Sequence, residues 1–368
     1  MRLGIDVSTY LEEKAAGAKY FDGNIEINPL SDFRKNNVDI VRLRVWNDPY
    51  SKDGKPYLGG TNDLKNVIKL IEETRDYGYK YMIDFHYSDF WADPGKQTLP
   101  KAWANLSFDE LLVKVYEFTR DSLIELRKID TPIEYIQIGN EITNGMMWPY
   151  GELTPSKEPN GERENYENFI KLLNAGIKGA REVVPSAKII IHLERSFDYK
   201  VYEEVFSKLE EAKVDYDLVG MSYYPYWHGT FDQLFFNINN LKIKFNHNTM
   251  ITELGFGFTL EDYIFNNNGQ NGLKISKDTL EAQLEYEISP SGQAAFVEDL
   301  LRRSKENDIE GVVYWEPLWI PGDTICWSSK EGQEYIHEEG KPTRNEWCNQ
   351  CLFDYAGKKL PAFNKFKL

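Results

Sequence analysis

Apolar residues fall along this chain in two rhythms. Short, nearly unbroken apolar runs recur at residues 3–8, 40–46, 79–87, 133–141, 188–194, 217–225, 249–256 and 311–317. Runs of that length without alternation are what strands buried on both faces look like. Between most of them the apolar positions space out by three or four, the helical period. Residues 61–77 put Leu64, Val67, Ile68 and Ile71 on one stripe and stop at Gly78, a residue suited to closing a helix. Residues 107–128 open on Ser107-Phe108-Asp109-Glu110, a capping box, and continue with Leu111, Val115 and Phe118 on one face. Residues 165–184 and 293–307 also read as helices. Strand and helix in alternation predict a parallel sheet, and eight such units predict an α/β fold, a single (β/α)8 TIM barrel over residues 1–368. A doubly wound open sheet is the alternative, but no Gly-rich phosphate loop follows any strand.

In such a barrel the chemistry belongs at the C-terminal ends of the strands. Polar and aromatic residues gather there: Asp6 and Ser8, Arg42 and Arg44, Asp84 and His86, Asn140 and Glu141, His192 and Glu194, Tyr223 and Tyr224, Glu253, and Trp315 with Glu316. A purely structural barrel would not need this, because each buried polar group requires a partner.

The net charge of −16 argues against nucleic acid and anionic membranes as partners and suits a neutral ligand. Aromatic content is high, with nine Trp and 23 Tyr. Flat rings near strand ends suit a ligand that stacks, as sugars do. No apolar run is long enough for a membrane span, and no signal peptide is visible at Met1. The three cysteines, Cys326, Cys348 and Cys351, lie near the C-terminus. The pair at 348 and 351 is half a zinc site with no second half, so a disulfide using Cys326 is the expectation.

Glycosidic bonds are broken between two carboxyl groups whose environments hold one protonated and one charged. Glu141 is assigned as acid and base, with Asn140 beside it for the sugar 2-hydroxyl. Glu253 is assigned as nucleophile, kept ionised by Arg44 and hydrogen-bonded by Tyr223 or Tyr224. Trp315 forms the floor, with Trp91, Trp227 and Trp319 as outer stacking platforms. A metal-dependent barrel hydrolase would need a His-x-His after the first strand, where the chain has Asp6-Val7-Ser8. A non-catalytic carbohydrate-binding barrel would need to have lost one carboxylate, and both are present.

Longer motifs carry a resemblance. They are VRLRVWNDP at 41–49, DFHYSDFWADPGKQ at 84–97, QIGNEITNG at 137–145, SYYPYWHGT at 222–230 and YWEP at 314–317. Together they resemble glycoside hydrolase family 53, the arabinogalactan endo-β-1,4-galactanases. The resemblance implies a retaining mechanism without a cofactor, with Glu141 as acid/base and Glu253 as nucleophile. It implies that Arg44, His86, Asn140 and Tyr224 line the cleaving subsite and that Trp315 stacks there; Asp84, Trp91 and Trp227 are further residues expected to bind substrate. It also implies a galactan polymer as partner and, since such a polymer cannot enter a cell, a secreted monomer. Cellulase, mannanase or xylanase activity is the runner-up. The sequence departs from the family in two places. Leu254-Gly255-Phe256 replaces an aromatic-Pro pattern after the nucleophile. Cys348 stands where an acidic ligand of a structural calcium ion would be expected, so the cysteines resemble instead those of members that clamp this loop with a disulfide, and a calcium ion stays open.

Overall fold

The fold was obtained as a computed structural model, which describes residues 1–155, 161–264 and 272–367. All eight apolar runs form strands: β1 (Arg2–Asp6), β2 (Ile40–Val45), β3 (Lys80–Phe85), β4 (Ile133–Ile138), β5 (Lys188–Leu193), β6 (Leu218–Tyr223), β7 (Asn248–Leu254) and β8 (Gly311–Tyr314). They pair in parallel in chain order, and β1 pairs with both β2 and β8, which closes the barrel. A helix follows each strand: α1 (Pro29–Lys35), α2 (Leu64–Thr74), α3 (Phe108–Lys128), α4 (Tyr166–Val183), α5 (Tyr199–Glu211), α6 (Phe231–Phe245), α7 (Pro290–Glu306) and α8 (Pro361–Lys365). The predicted capping box of α3 is present, Ser107 and Glu110 each satisfying the other's backbone amide. Helix α7 starts earlier than its apolar stripe suggests, because Ser289 caps it and Pro290 occupies the first turn, where no backbone donor is needed. Among the described residues no helix is long and apolar enough to cross a membrane.

Side chains on a strand alternate between faces, and in this barrel the alternation sorts them by depth. The outward set, including Val41, Leu43, Ile83, Ile136, Ile191, Val219 and Val312, joins the main core under the helices. The inward set begins with an apolar plug of Ile40, Met82, Tyr135, Ile190, Leu218, Met250 and Val313. Two residues further along the same strands the interior becomes polar, with Arg42, Asp84, Gln137 and His192. The next step reaches Arg44, His86 and Glu194 at the mouth.

Strand β7 breaks this count. Met221 pairs with Ile251, but Ser222 pairs with Glu253, so Thr252 is an extra residue in the register. Strict alternation from Met250 would turn Glu253 outward. The bulge reverses the phase and points Glu253 into the barrel, the re-aiming that bulges near functional sites perform.

Candidate active site

Strand β4 ends one turn short of its apolar pattern. Gly139 has φ +82° and a Cβ there would meet Ile142 Cγ2 at 2.7 Å, so only glycine lets the chain leave the strand this way. Glu141 itself sits in the left-handed region at φ 49°, an uncommon conformation for a side-chain-bearing residue. The turn carries Asn140 and Glu141 into a cleft of about 360 Å³ at the barrel mouth. Arg44, His86, Trp91, Asn140, Glu141, Tyr224, Trp227, Glu253 and Trp315 all line it. Asp84 does not. It lies one layer below, bonded to Arg42 Nη2 at 2.8 Å, Gln137 Nε2 at 2.7 Å and His86 Nε2 at 3.0 Å. Its contribution is therefore to hold His86 and Arg42 in place rather than to touch a ligand.

The expected partner of Glu253 was Arg44, and here the structure corrects the sequence. Arg42 Nη2 lies 2.9 Å from Glu253 Oε1. The same guanidinium bonds Asp6 at 2.7 Å, Asp84 at 2.8 Å and the Asn140 side-chain oxygen at 2.9 Å. Arg44 instead reaches Glu316 at 2.7 Å and Asp6 at 3.3 Å. Its guanidinium carbon sits 4.4 Å from the centre of the Trp91 ring. Arg44 thus props the aromatic wall while Arg42 holds the carboxylate. The tyrosine question also resolves: the Tyr224 hydroxyl donates to Glu253 Oε2 at 3.1 Å, whereas Tyr223 donates to the Gly229 carbonyl.

The two carboxyl groups live in different fields. Burial raises the pKa of Glu141 well above the carboxylate range, and the charges of Glu253 and Glu194 push it further. A hydroxyl donated by Ser222 at 2.6 Å offsets this only in part. Burial raises Glu253 too, and the charges of Asp84 and Asp6 add to the rise, but the Arg42 charge and the Tyr224 hydroxyl oppose it, so Glu253 ends above its ordinary value and Glu141 well above its own. Glu141 has only a neutral hydroxyl to oppose its rise while Glu253 has a guanidinium, the kind of difference that acid–base chemistry on a neutral substrate needs. Nearby Glu194 is pushed up to about 7 by burial.

Trp319, expected as an outer platform, lines the cleft, and the aromatic wall is larger than the sequence suggested, because Trp327 and Trp347 line it as well. Trp315, Trp347 and Trp227 follow one another with ring planes turned by 75° and then 74°. The loop that carries Trp319, Trp327 and Trp347 is tied to the loop after β3: Trp91 Nε1 donates to the Trp327 carbonyl at 2.9 Å, and Lys96 pairs with Glu338 at 3.2 Å. Trp347 was missed as a platform because nothing local distinguishes it from a tryptophan packed beside cysteines. Ser222 stands inside a quoted motif, and its place two residues after Gly220 on β6 was the signal that could have found it.

Comparison with known proteins accords with this geometry. The sequence profile of Glycosyl hydrolase family 53 matches residues 2–366. The chain belongs to this family. It is 32% identical to the endo-beta-1,4-galactanase of Bacillus subtilis (strain 168), covering 99% of this chain and 85% of the relative. It is 30% identical to the arabinogalactan endo-beta-1,4-galactanase A of Aspergillus niger, over 86% of this chain and 85% of the relative. Among solved structures it is similar to the family 53 catalytic domain from Ignisphaera aggregans, with a TM-score of 0.87 at 36% identity, covering 99% of this chain and 95% of that one.

Two expectations attached to family 53 meet a different local chemistry. No disulfide joins Cys326, Cys348 or Cys351; all three are thiols. Cys351 points at the Glu316 carbonyl, while Cys326 lies on a separate bridge to Arg344. A calcium ion needs several hard oxygen ligands. Among the described residues no group of three or more His, Cys, Asp or Glu could hold a metal. Burial pushes the Cys348 thiol far up, so it stays a neutral sulfur. The Asn349 amide ties the two loops directly, donating to the Thr259 and Ile275 carbonyls at 2.8 Å each. Cys348 thus offers no hard oxygen where an acidic ligand was expected, and the family's chemistry requires no cofactor.

Proposed function

We propose that this chain is a retaining endo-β-1,4-galactanase in which Glu141 is the acid/base and Glu253 the nucleophile. The observation that carries the reading is the asymmetry of the pair: burial and like charge raise Glu141 well above the carboxylate range, while Arg42 and Tyr224 each bond one oxygen of Glu253 and favour its charged form. Glu253 attacks the anomeric carbon as Glu141 gives its proton to the departing glycosidic oxygen. A glycosyl ester on Glu253 results. Glu141, now a carboxylate, takes a proton from water, and the hydroxide character so generated displaces Glu253 with net retention.

The substrate follows from the wall. The galactose 4-hydroxyl is axial, so a β-1,4-galactan chain bends where cellulose runs flat. Trp315, Trp347 and Trp227 turn relative to one another by steps near a right angle, as successive rings of a bent chain require. The polymer is met outside the cell, by a monomer whose barrel acts as one catalytic domain. The test is a product profile on linear galactan beside mannan and cellulose, with anomeric NMR of the first product. Galactan cut fastest, to β-configured products, supports the reading; equal cleavage of cellulose or mannan, or an α-configured first product, defeats it.

The platforms should separate kinetically. Trp315→Ala lowers kcat, because that face lies under the ring that flattens in the transition state. Trp227→Ala, at a half-exposed ring, raises KM for polymer and leaves kcat on galactotetraose near wild type, since uniform binding affects KM alone. Steady-state kinetics on both substrates measure this. A change confined to KM in Trp315→Ala would place the cleaving subsite elsewhere.

A further inference from the structure

The hydrogen bonds behind Glu141 form a chain whose direction is fixed. The Glu141 backbone N–H points at His192 Nδ1, 3.4 Å away, and Gln137 Nε2 lies 3.0 Å from the same nitrogen. A backbone N–H can only donate. The Gln137 amide cannot turn over, because Arg42 Nη2 donates to its oxygen at 3.3 Å and its nitrogen donates to Asp84 at 2.7 Å. The Asn140 oxygen, 3.2 Å from Nδ1, already accepts from Arg42 at 2.9 Å. His192 Nδ1 is therefore the bare nitrogen. Burial, with Arg42 nearby, keeps the ring neutral, so its one proton is on Nε2. Nε2–H donates to Ser222 Oγ at 2.9 Å, and the single Ser222 proton goes to Glu141 Oε1 at 2.6 Å.

We propose that His192 and Ser222 are positioning residues that reserve Glu141 Oε1 as a permanent acceptor, so that the transferable proton occupies Oε2. This rests on Glu141 being the acid/base. In the first step the proton leaves Oε2 for the glycosidic oxygen, and the C–O bond breaks with its electron pair passing to that oxygen. In the second step Oε2 takes a proton from the attacking water. Oε1 never carries a proton, so Glu141 need not rotate between steps. The buried Ser222 hydroxyl, aligned by strand register opposite Glu253, does this without adding a charge.

Glu141 also faces Glu253, Glu194 and Asp93, whose charges raise its pKa, and it lies within the field of Tyr224 and Tyr202. Ser222 acts against the three carboxylates. Removing its hydroxyl should therefore raise the Glu141 pKa and move the basic limb of the pH profile upward.

The full chain is compared as wild type, Ser222→Ala, Ser222→Thr and Glu141→Ala, on galactan and on a dinitrophenyl β-galactobioside. The latter has a leaving group that needs no proton. We expect Ser222→Ala to lose roughly 10- to 100-fold in kcat/KM on galactan, a part of the ~10²- to 10⁴-fold that a general acid contributes. It should change little on the activated substrate, and its basic limb should shift to higher pH. Ser222→Thr should restore both. Equal losses on the two substrates, or an unmoved basic limb, overturn the relay. Glu141→Ala is the control: if it shows the leaving-group split and Ser222→Ala does not, only the relay falls. If Glu141→Ala shows no split, the acid/base assignment falls and the relay with it.

Discussion

Glu253→Ala should remove turnover of galactan by on the order of 10⁵-fold, the scale on which losing a covalent nucleophile is felt. The barrel itself should survive, because Arg42 keeps Asp6 and Asp84 as partners when Glu253 is gone. The truncated side chain leaves room on the face opposite the leaving group. Azide should enter there, beside the Arg42 guanidinium, and restore turnover. The product should be a galactosyl azide of inverted configuration, since one displacement replaces two. Glu141→Ala with azide should give the retained product instead, because the anion then takes the place of the general base. Rescue with inversion at Glu141 and none at Glu253 would exchange the two roles. The azide product is identified by NMR and its rate by reducing-sugar release.

Arg42→Met should be the most destructive change outside the carboxylate pair, and Arg44→Met a milder one. Arg42 is fully buried among Asp6, Asp84 and Glu253. Removing one partner of a buried ion pair costs about 3–5 kcal/mol, because the charge left behind has lost both water and counterion. Here three carboxylates are left behind. Arg42 holds down the pKa of Asp6 and of Glu253, so both rise in the folded variant, which loses stability relative to wild type as pH increases and regains it as pH falls. Activity carries the second signature. Without the guanidinium Glu253 protonates more readily, and the acidic limb of kcat/KM moves to higher pH. Arg44→Met removes contacts to Glu316 and Trp91 but leaves the Arg42–Glu253 pair intact, so its acidic limb should stay in place. Thermal unfolding across pH and the two profiles measure this. An acidic limb displaced in Arg44→Met and not in Arg42→Met would restore the assignment that the sequence alone suggested.

That exchange of arginines shows where sequence stops. Residues 42 and 44 share a strand and a face, so periodicity places both inside the barrel. Which of them meets Glu253 depends on depth, and depth depends on how eight tilted strands stagger on closing. No local pattern encodes that stagger. The eight strands and the cleft residues at their ends, among them Arg44, His86, Asn140, Glu141, Tyr224 and Glu253, were legible because each apolar run ends in a polar residue and burial leaves few explanations for that. Asp84 is in phase with the cleft but one layer too deep, an error of the same origin. The orientation of Glu253 was legible only by accident of the expected role. By alternation from Met250 it points outward, and the register shift at Thr252 turns it inward. The cysteines misled for another reason, since spacing in sequence says nothing of whether side chains meet. The Trp347 platform belongs to a long loop whose course is set by its contacts to the loop after β3, far away in the chain.

Six of the nine tryptophans, at 91, 227, 315, 319, 327 and 347, stand around one cleft. Five of these rings form a continuous set, with centroid separations of 5.4 to 6.2 Å linking Trp91, Trp227, Trp315, Trp319 and Trp347. Excitation absorbed at one indole can pass to its neighbours before it is emitted, so the cluster behaves as a single chromophore. Most of the protein's ultraviolet emission thus originates where a sugar chain would lie. Filling the cleft replaces water against several indoles at once and shifts their emission to shorter wavelength. The enzyme carries its own optical reporter of occupancy, readable with unlabelled oligosaccharide in the Glu253→Ala variant, where binding proceeds and cleavage does not.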